Sequence, residues 1–251
     1  MNVKLRNDIY KILVDDFSKK IGFDIETGLL LNKDETGLLQ NEKMRFSGMP
    51  FIGNHYGEYL PKILIVGSDI GSDEMKPTFH TFETKRTRCI HKTNKYNAHL
   101  AGTYMTALYL LRDCNEFKNM WQDSMRNITA HWALKKLSAQ QVAEIAESIS
   151  FTNLHKFVTV NRTKKSGDQD RKWTKEDKKE EFAIFIEEVK CFVPDIVILQ
   201  EINPISDKDV GQIKEAVEGV AVYRLKHPST RKRGGRIVNE LIIKPLREQG
   251  Y

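Results

Sequence analysis

Three polar side chains of this sequence lie where a parallel sheet would bind a ligand. Asp69 follows one short apolar segment and stands between Gly67 and Gly71. Asn153 lies within or at the end of a second apolar segment, and His227 follows the last one. The carboxyl ends of parallel strands meet at one edge of a sheet, where ligands bind. A carboxylate at that edge loses hydration and gains nearby backbone N–H groups, a setting that suits chemistry, and an amide and an imidazole beside it make the combination specific.

Each of these residues also has a purely structural explanation. Asp69 could cap a turn or the next helix, and Asn153 could satisfy backbone groups. His227 could be an ordinary surface histidine, and Ser229 could cap a helix. These explanations stay open for each residue alone, whereas the combination on three separate strands favours a site.

Four short apolar segments predict the strands that would position these residues. The first of them is rich in β-branched residues, apolar on both faces and too short for a helix, which is typical of a strand buried on both faces. The four strands are Lys62–Val66, Phe151–Phe157, Pro194–Gln200 and Val220–Leu225. Because helical segments separate them, the connections are expected to be right-handed crossovers. The sequence therefore predicts an α/β fold, a three-layer αβα sandwich around a four-stranded parallel sheet.

Apolar residues at helical spacing predict the remaining elements. The predicted helices are 4–20, 97–111, 116–126, 138–149 (opened by a capping box at Ser138), one that Thr174 caps and that reaches Phe192, 207–218, and a last one from Ile237 that Pro245 bends or ends. Residues 21–60 are rich in glycine and are expected to be irregular. A single domain is predicted over 1–251, with a lead-in over 1–60 and a core over 61–240.

Composition excludes several classes of protein. No apolar run approaches the roughly 18 residues of a membrane span, and the charged N-terminus lacks the apolar region of a signal peptide. The three cysteines form no C-x-x-C pair, which argues against a zinc site, an iron–sulfur cluster and a disulfide framework. Phosphate-binding glycine motifs are also missing from the sequence. We therefore expect a protein of the reducing cytoplasm.

Positive charge is concentrated in two stretches. The net charge is +6, and residues 84–112 and 220–239 contain no acidic residue. Two solvated loops would explain this pattern, but such segregation favours a basic face that contacts a nucleic-acid backbone.

Three short blocks resemble the signature blocks of the uracil-DNA glycosylase superfamily. They are Gly67-Ser68-Asp69-Ile70-Gly71, Phe151-Thr152-Asn153 and His227-Pro228-Ser229. The resemblance covers roughly residues 60–240, and the segments around Asn161-Arg162 and Pro194–Gln200 are also similar. His-Pro-Ser is the most specific block; in the first block the family usually has proline where this chain has Ile70.

The resemblance implies a uracil-DNA glycosylase-like fold and base excision from DNA by a monomer without metal or cofactor. A base must first be flipped out of the stack or come from a single strand. Asp69 would then stabilise the cationic sugar and orient the attacking water, His227 would donate to the base carbonyl, and Asn153 would read the base edge. Phe79 would stack on the base, with Phe82 as the second candidate. The resemblance further implies a base pocket formed with Gly67, Ser68, Ile70 and Gly71, and DNA contacts from Arg162, Lys226, Ser229, Arg231, Lys232, Arg233 and Arg236.

Gly71 bears on which base is removed. Uracil-specific members of the family carry a bulky aromatic residue at this place, which excludes bases substituted at carbon 5. A glycine leaves room for a substituent, so the substrate is expected to be a modified phage cytosine, hydroxymethylated or glucosylated, removed in antiviral defence. Three alternatives stay open: uracil repair, a catalytically silent DNA-binding module, and an unrelated α/β enzyme that acts on a nucleoside or nucleotide.

Overall fold

The computed structural model describes eight parts of the chain: 3–16, 29–34, 37–46, 49–67, 98–159, 175–200, 205–228 and 236–251. They contain the strands β1 Leu29–Asp34, β2 Gly37–Phe46, β3 Phe51–Ile52, β4 Ile63–Gly67, β5 Ser150–Asn153, β6 Phe157–Thr159, β7 Ile196–Gln200 and β8 Ala221–Leu225. The α-helices in these parts are α1 Val3–Tyr10, α2 Ala98–Leu111, α3 Ala130–Leu134, α4 Ala139–Glu147, α5 Lys175–Phe192, α6 Asp207–Ala216 and α7 Lys244–Glu248. π-Helical turns occur at Lys11–Asp16 and Asn239–Ile243, and a 3-10 turn at Asp123–Met125.

The main sheet is mixed and has five strands in the order β3-β5-β4-β7-β8. The last four are mutually parallel and correspond to the four predicted strands. β3 pairs antiparallel with β5 at the edge, so the prediction of a four-stranded parallel sheet is wrong. Two residues are too few to show a strand pattern in the sequence; the stacking of Phe51 on Phe151, with ring centroids 5.2 Å apart, fixes them there.

Alternate residues of the central strands face two separate cores, which confirms the α/β class. Ile63 and Ile65 pack with α2 on one face. Leu64 and Val66 pack with α1 and α5 on the other. Every β4 residue is buried, as expected for a strand covered on both sides.

The order of the parallel strands reverses between β4 and β7. Across the sheet the parallel strands stand in the order β5, β4, β7, β8, so the strand that comes first in the chain lies between the second and the third. The connection from β4 to β5 contains α2, α3 and α4, which pack on one face, whereas α5, between β5 and β7, packs on the other. Such a switch point leaves a crevice outside the carboxyl ends of the two strands, which here are Gly67 and Gln200.

Three local predictions are wrong. The segment 21–60 is not irregular throughout, because β1 and β2 form an antiparallel hairpin within it. The predicted strand Phe151–Phe157 is divided between two sheets: β5 belongs to the main sheet, and β6 joins β1 and β2 in a three-stranded sheet. The predicted helix 116–126 consists of turns and the 3-10 turn.

None of the described helices is long and apolar enough to cross a membrane.

Candidate functional site

Gly67 and Asn153 contact each other at the carboxyl edge of the sheet. They are partners in the parallel register of β4 and β5, and the N–H of Leu154 donates to the carbonyl of Gly67 at 2.9 Å. A Cβ on Gly67 would lie only 2.7 Å from Asn153 Oδ1. The side-chain amide of Asn153 therefore occupies the space beside the end of β4, and any side chain at position 67 would have to displace it.

His227 lies two residues beyond the end of β8, next to a second histidine. Its Nε2 is 3.1 Å from Nδ1 of His99, which stands in the first turn of α2. The two rings also stack, with centroids 4.8 Å apart and planes 29° apart. One of the two nitrogens carries the proton of this hydrogen bond, and which ring donates depends on the tautomers.

The first turns of α2 cover the carboxyl ends of β7 and β8. His99, Gly102 and Thr103 are three and four residues apart and so share one face of the helix. Thr103 and Gln200, both buried, are joined by a hydrogen bond between hydroxyl and side-chain amide at 3.3–3.4 Å. This face of α2 therefore closes one side of the crevice at the switch point.

Gly102 allows α2 to lie directly against Pro228. A Cβ on this glycine would lie 2.2 Å from Cβ of Pro228 and 3.2 Å from Leu241 Cδ2. Pro228 is rigid and directly follows His227, so this contact fixes where the imidazole stands.

Gly102→Ala should destabilise the protein by about 1–3 kcal/mol, because the new methyl group overpacks the contact with Pro228. The higher helix propensity of alanine offsets at most about 1 kcal/mol of this loss. Urea unfolding measures the difference. The control is Gly211→Ala in α6, where a Cβ meets no atom within 4 Å. That variant should be more stable than the wild type by up to about 1 kcal/mol. Equal changes in the free energy of unfolding of the two variants would show that Gly102 is not needed for the contact of α2 with Pro228.

A buried ionic network anchors β5 just before and after Asn153. The Lys156 ammonium donates to the Thr152 hydroxyl at 3.0 Å and forms an ion pair with Glu188 of α5. Thr152 in turn donates to Glu188 at 3.0 Å. Burial raises the pKa of the Glu188 carboxyl, while the ammonium of Lys156 and the hydroxyl of Thr152 oppose this shift. The network ties the end of β5 to α5 and so fixes the position of Asn153.

A second polar pair forms one wall of a cavity of about 320 Å³ beside the same edge. His155 Nδ1 lies 3.0 Å from the carboxylate of Glu181, whose other oxygen accepts from the N–H of Lys156 at 2.8 Å. Both members of the pair are buried. The rest of the lining comes from Leu154, Lys179, Phe182, Ile205, Lys208, Asp209 and Gln212. The cavity thus lies between the segments that follow β5 and β7 and the first turns of α5 and α6.

The structure describes five of the predicted site residues. Three of them lie at the carboxyl edge of the sheet, as predicted: Gly67, Asn153 and His227. Lys226 is exposed. Arg236 is half-buried, and its carbonyl accepts a hydrogen bond from the N–H of Ala130 at 3.0 Å. The others lie outside the described residues: Ser68, Asp69, Ile70, Gly71, Phe79, Phe82, Arg162, Ser229, Arg231, Lys232 and Arg233.

Sequence reasoning missed the residues that position this edge. His99, Gly102 and Thr103 are small or polar residues at helical spacing on an otherwise apolar helix, a signal that could have been noticed. Gln200 ends an apolar strand in the same way as Asn153. Among the described residues, no three His, Cys, Asp or Glu side chains cluster in a way that could hold a metal ion.

Comparison of the chain with protein-family models, with curated proteins and with solved structures finds no match. What the site does is therefore argued from its own residues.

Proposed function

We propose that this protein is a DNA glycosylase that flips a modified phage cytosine out of DNA and hydrolyses its N-glycosidic bond in antiviral defence. One observation carries the proposal: Asn153 and His227 lie on either side of the switch point. In the sequence, Asp69 comes two residues after Gly67, which ends β4. The parallel strands and the helices on both faces are compatible with a uracil-DNA glycosylase-like fold.

Asn153 and His227 follow from strands that leave room for a nucleotide between them. β5 and β8 lie three strand spacings apart, about 14 Å at about 4.8 Å each. Asn153 offers both a donor and an acceptor to the base edge. His227 donates to the base carbonyl, which would replace His99 as the partner of its Nε2.

Asp69 has the central chemical role in this proposal. The oxygen of water adds to C1′ of the deoxyribose as the C1′–N bond breaks, and the water proton passes to Asp69. The base leaves with the bonding electron pair, and His227 stabilises the negative charge until solvent protonates the base. Before that, the Asp69 carboxylate stabilises the positive charge that develops on the sugar.

Positive charge beside His227 supports a DNA substrate. Lys226 is exposed directly before His227, and the chain continues into a run of four further basic residues. Cations in this place would bind phosphates on both sides of the flipped nucleotide.

Mass spectrometry of released bases tests the proposal. The substrates are DNA with uracil, unmodified DNA, and phage DNA with hydroxymethylated or glucosylated cytosine. Release of a modified cytosine supports the proposal, and release of uracil alone favours repair. Binding without release from any substrate indicates a silent DNA-binding module, and cleavage of free nucleosides but not of DNA indicates a nucleoside enzyme.

Gly71→Tyr should abolish release of modified cytosine, because the ring occupies the space of the substituent on carbon 5. Gly71→Ala is the control, since it adds any backbone strain of a non-glycine residue with little bulk. Base release by the wild type and both variants is measured on the same DNA. Equal losses in the two variants would assign the effect to the backbone and not to the size of the pocket.

A further inference from the structure

The cavity behind Asn153 has the size of a ligand site. Its volume of about 320 Å³ lies within the range of small-molecule pockets, roughly 300–1,000 Å³. Leu154 and His155, which line it, directly follow Asn153 in the chain. Ile205 and the first turns of α6 approach it from the carboxyl end of β7. The cavity therefore adjoins the edge at which a flipped base would bind.

The lining is balanced in charge, which argues against an anionic ligand. Lys179 and Lys208 supply two positive charges, and Glu181 and Asp209 supply two negative charges. Because the two ammonium groups and the two carboxylates cancel, the lining gives a phosphate or carboxylate no net attraction. A neutral ligand that both donates and accepts hydrogen bonds fits such a lining better.

Two further features favour a ligand with many hydroxyl groups. Gln212 offers a donor and an acceptor, and no hydrogen bond within the described parts of the chain occupies its side chain or the ammonium of Lys208. The ring of Phe182 provides an apolar surface on which the C–H face of a sugar can lie. The Glu181–His155 pair is already held at 3.0 Å, so this wall is preorganised for binding.

We infer that this cavity binds the hexose of a glucosylated base, so that the glycosylase has a sugar subsite beside its base site. The inference rests on the proposed function for its substrate. On this inference, the residues that line the cavity determine the preference of the enzyme for glucosylated over hydroxymethylated cytosine.

The activity test compares the two modified bases. The double substitution Lys208→Met with Gln212→Leu should lower kcat/KM on glucosylated DNA by about thirtyfold or more, the effect of losing one neutral and one charged hydrogen bond. Release from hydroxymethylated DNA should stay within about twofold, because the base site is unchanged. Lys214→Met, on the same helix but outside the lining, should leave both rates unchanged. Equal losses on both substrates would overturn the inference.

A binding test separates the subsite from the proposed function. Methyl α-glucoside and methyl β-glucoside are titrated into the ¹⁵N-labelled protein, and amide shifts are followed by NMR. Shifts at residues 154–155 and 205–212 that the double substitution abolishes support the subsite, even if the protein releases no base. Absence of these shifts, or shifts that persist in the double variant, would overturn it, even if base release is observed.

Discussion

Replacement of Asp69 by alanine is expected to slow base release by about 10²–10⁴-fold, the range typical of a lost general acid or base. The carboxylate acts mainly when the sugar becomes cationic, so it stabilises the transition state more than bound DNA. Affinity for DNA should therefore stay close to that of the wild type. Single-turnover release of the modified base and a DNA-binding titration together measure the two effects.

Asp73→Ala is the matched control for this prediction. It removes the same charge from the same segment, four residues further on, outside the first signature block. If both variants lose activity equally, a general loss of negative charge explains the effect. Turnover close to wild type in Asp69→Ala would remove this residue from the mechanism.

The sequence predicts those parts of the fold that local pattern determines. Three of the predicted strands, and the first half of the predicted strand Phe151–Phe157, lie in the four parallel strands, and the capping box at Ser138 begins α4 as expected. β3 escaped prediction because two residues carry no periodicity. Backbone pairing with β5, the hydrogen bond from Gly53 N–H to the Ile149 carbonyl and the stacking of Phe51 on Phe151 hold them in the sheet. The hairpin of β1 and β2 was missed because its strands contain polar residues without regular alternation.

The site was predicted only where side chains end strands. The positions of the candidates Asn153 and His227 at the carboxyl edge could be predicted in this way, because strand ends are visible in the sequence. The contact of His227 with His99 joins residues 128 positions apart and depends on how α2 crosses the sheet. The cavity likewise combines segments near residues 154, 181 and 208, which meet only after α5 and α6 have packed. No local spacing carries such information.

Lys156→Met should lower the free energy of unfolding by about 3–5 kcal/mol, because it leaves the buried carboxylate of Glu188 without its cation. Both side chains of this pair are 0% exposed. Lys190→Met is the matched control in α5: Lys190 pairs with Glu187, but both are about half exposed, so the loss should not exceed about 1 kcal/mol. Urea unfolding of the two variants measures the difference, and equal losses would show that burial does not set the strength of the Lys156–Glu188 pair.

The pH dependence of the free energy of unfolding of Lys156→Met tests whether the buried carboxylate of Glu188 causes the loss of stability. Without the ammonium, burial raises the pKa of Glu188 further above its ordinary value of 4.5, so the folded state keeps a proton that the unfolded chain has lost. Unfolding then releases that proton, and the free energy of unfolding should fall as the pH rises above about 4.5, by up to about 1.4 kcal/mol per pH unit. The double variant Lys156→Met with Glu188→Leu removes the titrating group, so it should recover much of the stability and lose this slope. A slope that persists in the double variant would assign the pH dependence to another group and leave Glu188 out of the explanation.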